Sequence, residues 1–277
     1  MRESGSLESV VCTDNPRVKP SAGYSVIIPT MWKAPGFSHF LIKLCDYEAV
    51  EEVVLIDNRK EAAPKIDHPK LVWLKQAGNI YVNPAWNLGV RTARCSKLCI
   101  ANDDIEFDSS LFEIVDPMLE RAGIIGLDFD RAEGDKILIP TQSRPNGFGC
   151  LMFLSKDHYC PIPEVLKVWC GDDYLFRVNQ LKGRKNYKIR GGGHAAQSVS
   201  VTASTIPNKI LLLDKRLYRM LQLLLALRHP FKMVDVLRSN ARERREWMTQ
   251  VRLQQEVAAS KVAEQPLAAH GEGPYMG

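Results

Sequence analysis

Two pairs of adjacent aspartates are the residues whose type and position could do chemistry. Asp103 and Asp104 follow the apolar run "LCIA", where a buried strand would end. Adjacent negative charges repel each other unless a cation or hydrogen-bond donors offset them. Mg²⁺ and Mn²⁺ bind one or two protein carboxylates, and substrate phosphates complete their shell. The pair therefore indicates a cation site, and an exposed turn before a helix cap at Asp108 is the alternative.

The second pair, Asp172 and Asp173, follows a glycine at the start of a predicted helix in "WCGDDYLF". A carboxylate there could act as a general base on an acceptor hydroxyl. Helix N-termini also favour carboxylates, so capping is the alternative. Further along, the glycine triplet of "RGGGHAAQS" permits close approach of the backbone to a ligand. His194 directly behind it could be a metal ligand.

The segments that must position these residues alternate between strands and helices. Four apolar, β-branched runs are predicted strands: "YSVIIPT", "VEEVVLIDN", "KLVWLK" and "SKLCIANDD". Between them we expect a helix over about 37–47 and another in "NPAWNLGVRTAR", with Asn83 as its N-cap. This alternation predicts a parallel α/β sheet, in which ligands bind beyond the carboxyl ends of the strands. Thr30, Asp57 and the first acid pair lie at such ends.

The second half has shorter predicted strands joined by links rich in glycine and proline, which indicates a mixed sheet. The strands are "GIIGLDF", "KILIP", "GFGCLMFLS" and "NYKIR", and helices are expected over "DSSLFEIVDPMLERA" and "GDDYLFRVNQLKG".

The order of these pieces resembles family 2 glycosyltransferases of the GT-A fold, with rhamnosyltransferase-like and phage-encoded members in particular. "YSVIIPT" and "VVLIDN" look like that family's first two strands, and "GNIYVNPAWNLGV" has its spacing of two asparagines and a glycine. "IANDDIEFD" resembles its aspartate motif, "GDDYLF" its catalytic acid pair and "HAAQS" its late histidine segment. The resemblance covers about residues 24–200. It implies an α/β fold of the GT-A type, a mixed sheet flanked by helices.

The resemblance also implies a role for each motif residue, in the transfer of a sugar from a nucleotide-sugar donor to a hydroxyl acceptor with inversion. Asp104 and His194 would hold Mn²⁺ or Mg²⁺. Asp173 would be the base, and Asp172 would support it. Residues of the first half would bind the donor: Thr30, Asp57, Asn58, Asn79, Asn87 and Asp103. Trp169 and Phe148 could form an acceptor platform, and core packing is the alternative for both.

The charge is concentrated in the C-terminal part. The net charge is +5, and residues 206–252 contain eleven Lys/Arg against four Asp/Glu. "NKILLLDKRLYRMLQLLLALR" predicts an amphipathic helix capped by Asn208, and Pro230 precedes a second one. Three interpretations remain open: packing on the catalytic domain, contact with an anionic membrane, or contact with nucleic acid. Nucleic acid contact would suit a hydroxymethylated base in phage DNA as acceptor, and a glycan is the other acceptor considered.

The remaining features bound the class of protein. We expect a flexible lead-in over 1–22, a catalytic domain over 23–205, a helical extension over 206–262 and a disordered tail over 263–277. No apolar run reaches the ~20 residues of a membrane span. Scattered cysteines and the absence of a signal-like start favour a cytoplasmic protein, in the host cytoplasm if viral, and peripheral attachment to a membrane is a further option. The alternatives are a non-catalytic module that binds glycan or nucleic acid, and a nucleotidyltransferase.

Overall fold

The computed structural model describes residues 22–61, 64–195 and 206–263. Its strands are β1 (Tyr24–Thr30), β2 (Val50–Asp57), β3 (Leu71–Lys75), β4 (Lys97–Ala101), β5 (Ile105–Phe107), β6 (Ala122–Leu127), β7 (Ile137–Thr141), β8 (Leu151–Ser155), β9 (Lys185–Arg190) and β10 (Gly193–Ala195). Its α-helices are α1 (Phe37–Cys45), α2 (Val82–Thr92), α3 (Ser110–Val115), α4 (Gly171–Leu181), α5 (Asn208–Arg228) and α6 (Pro230–Ala263).

Eight strands form one mixed sheet, in the order β3-β2-β1-β4-β8-β6-β9-β7. β1 to β4 are mutually parallel, whereas β8 runs antiparallel to its neighbours β4 and β6. β5 and β10 form a separate antiparallel pair. The predicted fold class, a mixed sheet flanked by helices, is thereby confirmed.

One apolar core fills each face of the sheet. α1 and α3 cover one face, where Phe40 and Phe112 are almost fully buried. α2 and α4 cover the other, where Trp86 and Leu175 are buried. β1 and β2 are buried on both faces, which explains why their sequences are continuous apolar runs without alternation.

Three local predictions were wrong. Asn83 is not the N-cap of α2, because the helix begins one residue earlier and Tyr81 occupies the cap position. Asn208 is the first residue of α5 rather than its cap, which is Pro207. The helix expected after Asp108 ends at Val115 and continues as a 3₁₀ turn, since Pro117 cannot continue the α-helical hydrogen bonding.

The C-terminal helices pack on the domain that contains the sheet, as the first of the three interpretations expected. Leu217, Tyr218 and Leu221 of α5 contact the core under α2 and α4. Met233 and Val236 of α6 pack against Leu181 at the end of α4. Within the described ranges, no helix is long and apolar enough to cross a membrane.

Candidate active site

The carboxyl ends of β1 and β4 bring the first acid pair and its neighbours to one edge of the sheet. β1 pairs in parallel with β4, and Asn102, Asp103 and Asp104 follow β4 directly. A pocket opens beyond these ends, as expected for such a sheet. This strand-end pocket is lined by Pro29, Thr30, Met31, Lys33, Asn58, Asn79, Tyr81, Val82, Asn102, Asp103, Asp104 and Ile206.

A hydrogen bond from β1 fixes Asp103 in the strand-end pocket. The Thr30 hydroxyl donates to Asp103 Oδ2 at 2.6 Å and accepts from the Trp32 backbone N–H at 2.8 Å. Loss of water on burial raises the pKa of Asp103 to about 6, the Thr30 hydrogen bond opposes that rise, and the charge of Asp104 adds to it. A carboxyl group in this condition is stabilised as an anion by any cation that binds beside it.

Asp104 lines the same pocket, and the small sheet brings the backbone of His194 near it. β10 pairs with β5 so that His194 lies opposite Glu106. Only the backbone of His194 is described. Among the described side chains no cluster of three His, Cys, Asp or Glu groups forms a complete metal site. The oxygen donors present fit Mg²⁺ or Mn²⁺ held by one or two carboxylates, with the ligand's phosphates completing the shell.

Asp57 does not face the strand-end pocket. Its fully buried carboxylate accepts from the Arg59 backbone N–H at 3.0 Å and the Trp73 indole at 3.4 Å, and it forms an ion pair with Lys75 at 3.0 Å. It lines a separate pocket with Trp73, Lys75 and Ile66. Asp57 therefore fixes the loop after β2, and its contact with the donor stays a prediction.

The three predicted asparagines divide into two groups. Asn58 and Asn79 line the strand-end pocket, where their side-chain oxygens accept from the backbone N–H groups of Ile80 and Tyr81. Asn87 lies elsewhere and is buried. Its amide donates to the Ile162 carbonyl at 2.8 Å, and its oxygen accepts from the Tyr159 hydroxyl at 2.8 Å. Asn87 thus anchors a loop, contrary to the donor-binding role expected for it.

The second acid pair opens α4 and is bridged by an arginine. Arg144 Nε contacts Asp173 Oδ1 at 2.6 Å, and its Nη1 contacts Asp172 Oδ2 at 3.1 Å. Burial raises the pKa of Asp172, Arg144 lowers it, and the charge of Asp173 raises it. Both acids therefore depend on one guanidinium for charge compensation.

These acids line an acid-pair pocket together with residues of α2, α5 and several loops. It is lined by Val82, Trp86, Asn102, Phe129, Arg144, Asn146, Gly147, Gly149, Cys150, Val168, Trp169, Cys170, Asp172, Asp173, Leu211 and Lys215. Val82 and Asn102 also line the strand-end pocket, so the two pockets adjoin. The Cys150 thiol lies close enough to both acid pairs that Asp104 and Asp172 each add to the rise in its pKa, which burial takes to about 12. The two pockets form one cleft.

Glycine is required where α4 begins. A Cβ on Gly171 would lie 2.0 Å from Asn83 Oδ1. The Asn83 amide donates to the carbonyls of Leu166 and Trp169 and so ties α2 to the loop that enters α4. The sequence "CGDD" therefore seats the acid pair against α2.

The two predicted platform aromatics lie in different environments. Trp169 lines the acid-pair pocket, and so does Trp86. The buried indole N–H groups of both have no hydrogen-bond partner among the described residues. Phe148 is fully buried and packs edge-on against Phe176 at 5.3 Å. For Phe148 the packing alternative is therefore correct, because no ring face is left for a ligand.

A buried aspartate joins α5 to the cleft. The Asp214 carboxylate is fully buried and accepts from the backbone N–H groups of Lys167, Val168 and Trp169 at 3.0, 2.8 and 2.9 Å. The next residue, Lys215, lines the acid-pair pocket. The helical extension is thus part of the cleft's wall.

Strained backbone is concentrated around the cleft. Trp32, Tyr81 and Cys170 are the non-glycine residues of the described chain with positive φ, at 57°, 69° and 64°. Tyr81 and Cys170 line the cleft, and Trp32 contacts Thr30, which does too. Such conformations cost about 1–3 kcal/mol each and cluster at functional sites. Their location supports the cleft as the place where this chain acts.

Comparison with known proteins gives a likeness in structure only. No family model matches the chain, and no curated protein matches it either. Among solved structures it is similar to S. aureus TarS 1-349, at 15% identity and a TM-score of 0.45 over 62% of this chain and 60% of that one. The chain is also similar to the complex of that fragment with UDP-GlcNAc, at 13% identity and a TM-score of 0.46 over 67% of this chain and 61% of that one. For a longer TarS chain the identity is 15% and the TM-score 0.46, and the match covers 37% of that chain. At these values the likeness decides neither reaction nor substrate.

Sequence reasoning missed three residues of the cleft. Arg144 lies in the loop "SRPNG", where a single arginine carries no pattern. Trp86 adjoins Asn87 within a motif that was recognised, yet the indole and not the amide reaches the cleft. Lys215 follows an aspartate in an amphipathic helix, and an acid on the inward face of that helix was the available signal.

Proposed function

We propose that this chain is a metal-dependent, inverting glycosyltransferase of the GT-A type. The observation that carries the proposal is the single cleft in which two acid pairs from distant segments face adjoining pockets. A donor with a diphosphate and an acceptor with a hydroxyl need such adjoining pockets, with carboxylates in different roles.

The strand-end pocket would hold the nucleotide sugar. Asp104, with His194, would bind Mn²⁺ or Mg²⁺, which when present offsets charge on the departing nucleoside diphosphate. Thr30, Asn58, Asn79 and Asp103 would line the nucleoside and sugar. The support for this half is the pair of half-buried carboxylates that follow β4, one of which, Asp103, has a pKa that burial raises to about 6.

The acid-pair pocket would hold the acceptor. Asp173 would take the proton of the acceptor hydroxyl while the hydroxyl oxygen bonds to the anomeric carbon and the carbon–phosphate oxygen bond breaks. One base and one displacement give inversion, by the logic of inverting glycosidases. Trp86 and Trp169 line this pocket and would offer apolar ring surface to an acceptor. Asp172 and Arg144 would orient the base.

One observation favours the non-catalytic alternative. Arg144 contacts both acids, so Asp173 can act as a base only after its 2.6 Å contact with Arg144 Nε loosens. A module that binds glycan or nucleic acid would need no such movement. Nucleotide release distinguishes the two, since a binding module releases none.

The test is nucleotide release from a panel of nucleotide sugars that includes UDP-GlcNAc, with and without Mn²⁺ or Mg²⁺. The acceptors are saccharides in one arm and DNA with 5-hydroxymethylpyrimidines in the other. We expect metal-dependent release of nucleoside diphosphate with at least one donor and acceptor. Release of pyrophosphate would instead identify a nucleotidyltransferase. If the chain shows no release of nucleotide and no metal-dependent binding of nucleotide, the proposal is overturned.

A further inference from the structure

The outward side of α5 is apolar although nothing in the described chain covers it. Six large apolar side chains of this helix are more than half exposed: Leu212, Leu213, Met220, Leu223, Leu224 and Leu227. Leu227 is 79% exposed and Leu223 66%. At 100° per residue these six lie within about a third of the helix circumference, with Arg216 between Leu213 and Met220 along the axis, and we call this side of α5 the stripe.

This stripe is additional to the face that packs on the catalytic domain. Asp214, Leu217, Tyr218 and Leu221 face the domain, on the opposite side of α5. Packing on the core therefore accounts for one apolar face and leaves the stripe unexplained. The apolar surface continues at the start of α6, where Phe231 is 86% exposed. Contiguous exposed apolar surface of this kind marks an interaction site.

The surface around the stripe is basic. Lys209 and Arg216 lie within the stripe by helical angle, Arg219 and Arg228 flank it, and all four are exposed. On α6, Arg238, Arg245 and Arg252 are exposed and recur every seven residues, which places them on one side of that helix.

Most acids of the same region are engaged by other groups. Asp214 binds the loop before α4, and Glu243 accepts from Thr141 and from Gln142 and Ser143. Glu246 pairs with Arg242, whereas Asp235 is exposed near the start of α6. The exposed Lys and Arg of this surface therefore outnumber its acids.

We propose that the outward face of α5 and the start of α6 bind an anionic lipid surface, with the helix lying in the plane of the interface. Leucine, methionine and phenylalanine would enter the acyl boundary, while the flanking Lys and Arg extend to the headgroups. Nucleic acid would leave the leucine stripe in water, and a second copy would place like positive charges together. An anionic bilayer matches both the apolar and the basic component. This inference does not depend on the sugar-transfer proposal.

The test is flotation of the whole chain with phosphatidylcholine vesicles that do or do not contain phosphatidylglycerol. Leu223→Glu combined with Leu227→Glu should lower partitioning on anionic vesicles by at least ~30-fold, because two exposed leucines that would enter the acyl boundary are replaced by charges. Ile42→Glu combined with Ile137→Glu is the control, since those isoleucines are also exposed, at 45% and 46%, but lie on α1 and β7. The control should leave partitioning unchanged.

A second variant and two further measurements make the outcome decisive. Arg216→Gln combined with Arg219→Gln should lower partitioning ~10-fold or more on anionic vesicles and weaken its salt dependence. Thermal unfolding checks that each variant folds. The proposal is overturned if the chain binds neutral and anionic vesicles equally, or if the leucine variant partitions as well as the unmodified chain. It is also overturned if the chain binds duplex DNA instead of vesicles and the leucine variant keeps that binding. A stable dimer that the leucine variant dissociates would likewise overturn it.

Discussion

Asp214 gives the sharpest test of how the helical extension supports the cleft. Its carboxylate is buried where α5 contacts the loop before α4, and it accepts from three backbone N–H groups at 2.8–3.0 Å. Asp214→Ala removes the acceptor of all three hydrogen bonds at once. The loop then has to find water for three donors or leave them unpaired.

The expected loss follows from these contacts. A hydrogen bond to a charged group contributes about 1.5–3 kcal/mol, so three would sum to more than 4 kcal/mol if the loop could not relax. Lys167 and Trp169 are only half-buried, so two of the donors can regain water in part. We therefore expect Asp214→Ala to lower the free energy of unfolding by about 3–5 kcal/mol. Asp214→Asn keeps one acceptor oxygen and should cost about half as much.

Urea unfolding followed by tryptophan fluorescence and circular dichroism measures both variants. Asp235→Ala is the matched control, because this exposed aspartate lies on α6, and its effect should stay within about 0.5 kcal/mol. The reasoning is refuted if Asp214→Ala costs no more than the control. It is also refuted if the alanine and asparagine variants are equally stable, since the number of acceptors would then not matter.

Three further variants test other contacts. Arg144→Gln should destabilise the fold by about 1–3 kcal/mol at pH 7. The loss should be smaller at pH 5, because burial raises the pKa of Asp172 and its protonated form needs no guanidinium. Urea unfolding at both pH values checks this, and equal losses would contradict it. Because burial raises the pKa of Asp103 above its unfolded value, the native state binds the extra proton, so this residue's contribution to stability falls as pH rises from about 4 to about 6. Asp103→Asn should therefore make the melting temperature depend less on pH across that window, and the same dependence on pH in the variant and the unmodified chain would rule this out. Gly171→Ala should cost about 1–3 kcal/mol because its Cβ overlaps a side-chain amide, whereas Gly78→Ala, with no atom closer than 3.5 Å, should cost far less.

The sheet could be predicted from sequence because its central strands are buried on both faces. β1 was predicted over the residues it occupies, since "YSVIIPT" is a continuous β-branched run with clear limits. The start of α2 was not, because Asn83 looks like an N-cap although its side chain is needed by the loop before α4. Capping preference is local, and a tertiary contact outweighed it here.

The cleft could be predicted as a place but only partly as a set of contacts. Asp103, Asp104, Asp172 and Asp173 were recognised from their positions at element ends, and they do line adjoining pockets. The direction of a strand-end side chain is not encoded in its position.

Two further features of the cleft and its surroundings were beyond sequence reasoning. Asp57 turns to Lys75 and Trp73, which only the pairing of β2 with β3 brings near. Arg144 approaches the acid pair from a separate loop, so no spacing within either segment could reveal it. Likewise the amphipathic pattern of α5 indicated one apolar face, while the exposed stripe became visible only when the buried face was known.

The most direct measurement compares nucleotide binding with sugar transfer in two variants at the two acid pairs. Asp173→Asn should lower transfer at least ~100-fold while the Kd for nucleotide with Mn²⁺ stays within about threefold of the unmodified chain. Asp104→Asn should instead abolish the metal dependence of nucleotide binding. Asp157→Asn, an exposed acid outside the cleft, should change neither quantity. Transfer that survives Asp173→Asn, or metal-dependent binding that survives Asp104→Asn, would contradict the division of the cleft into donor and acceptor halves.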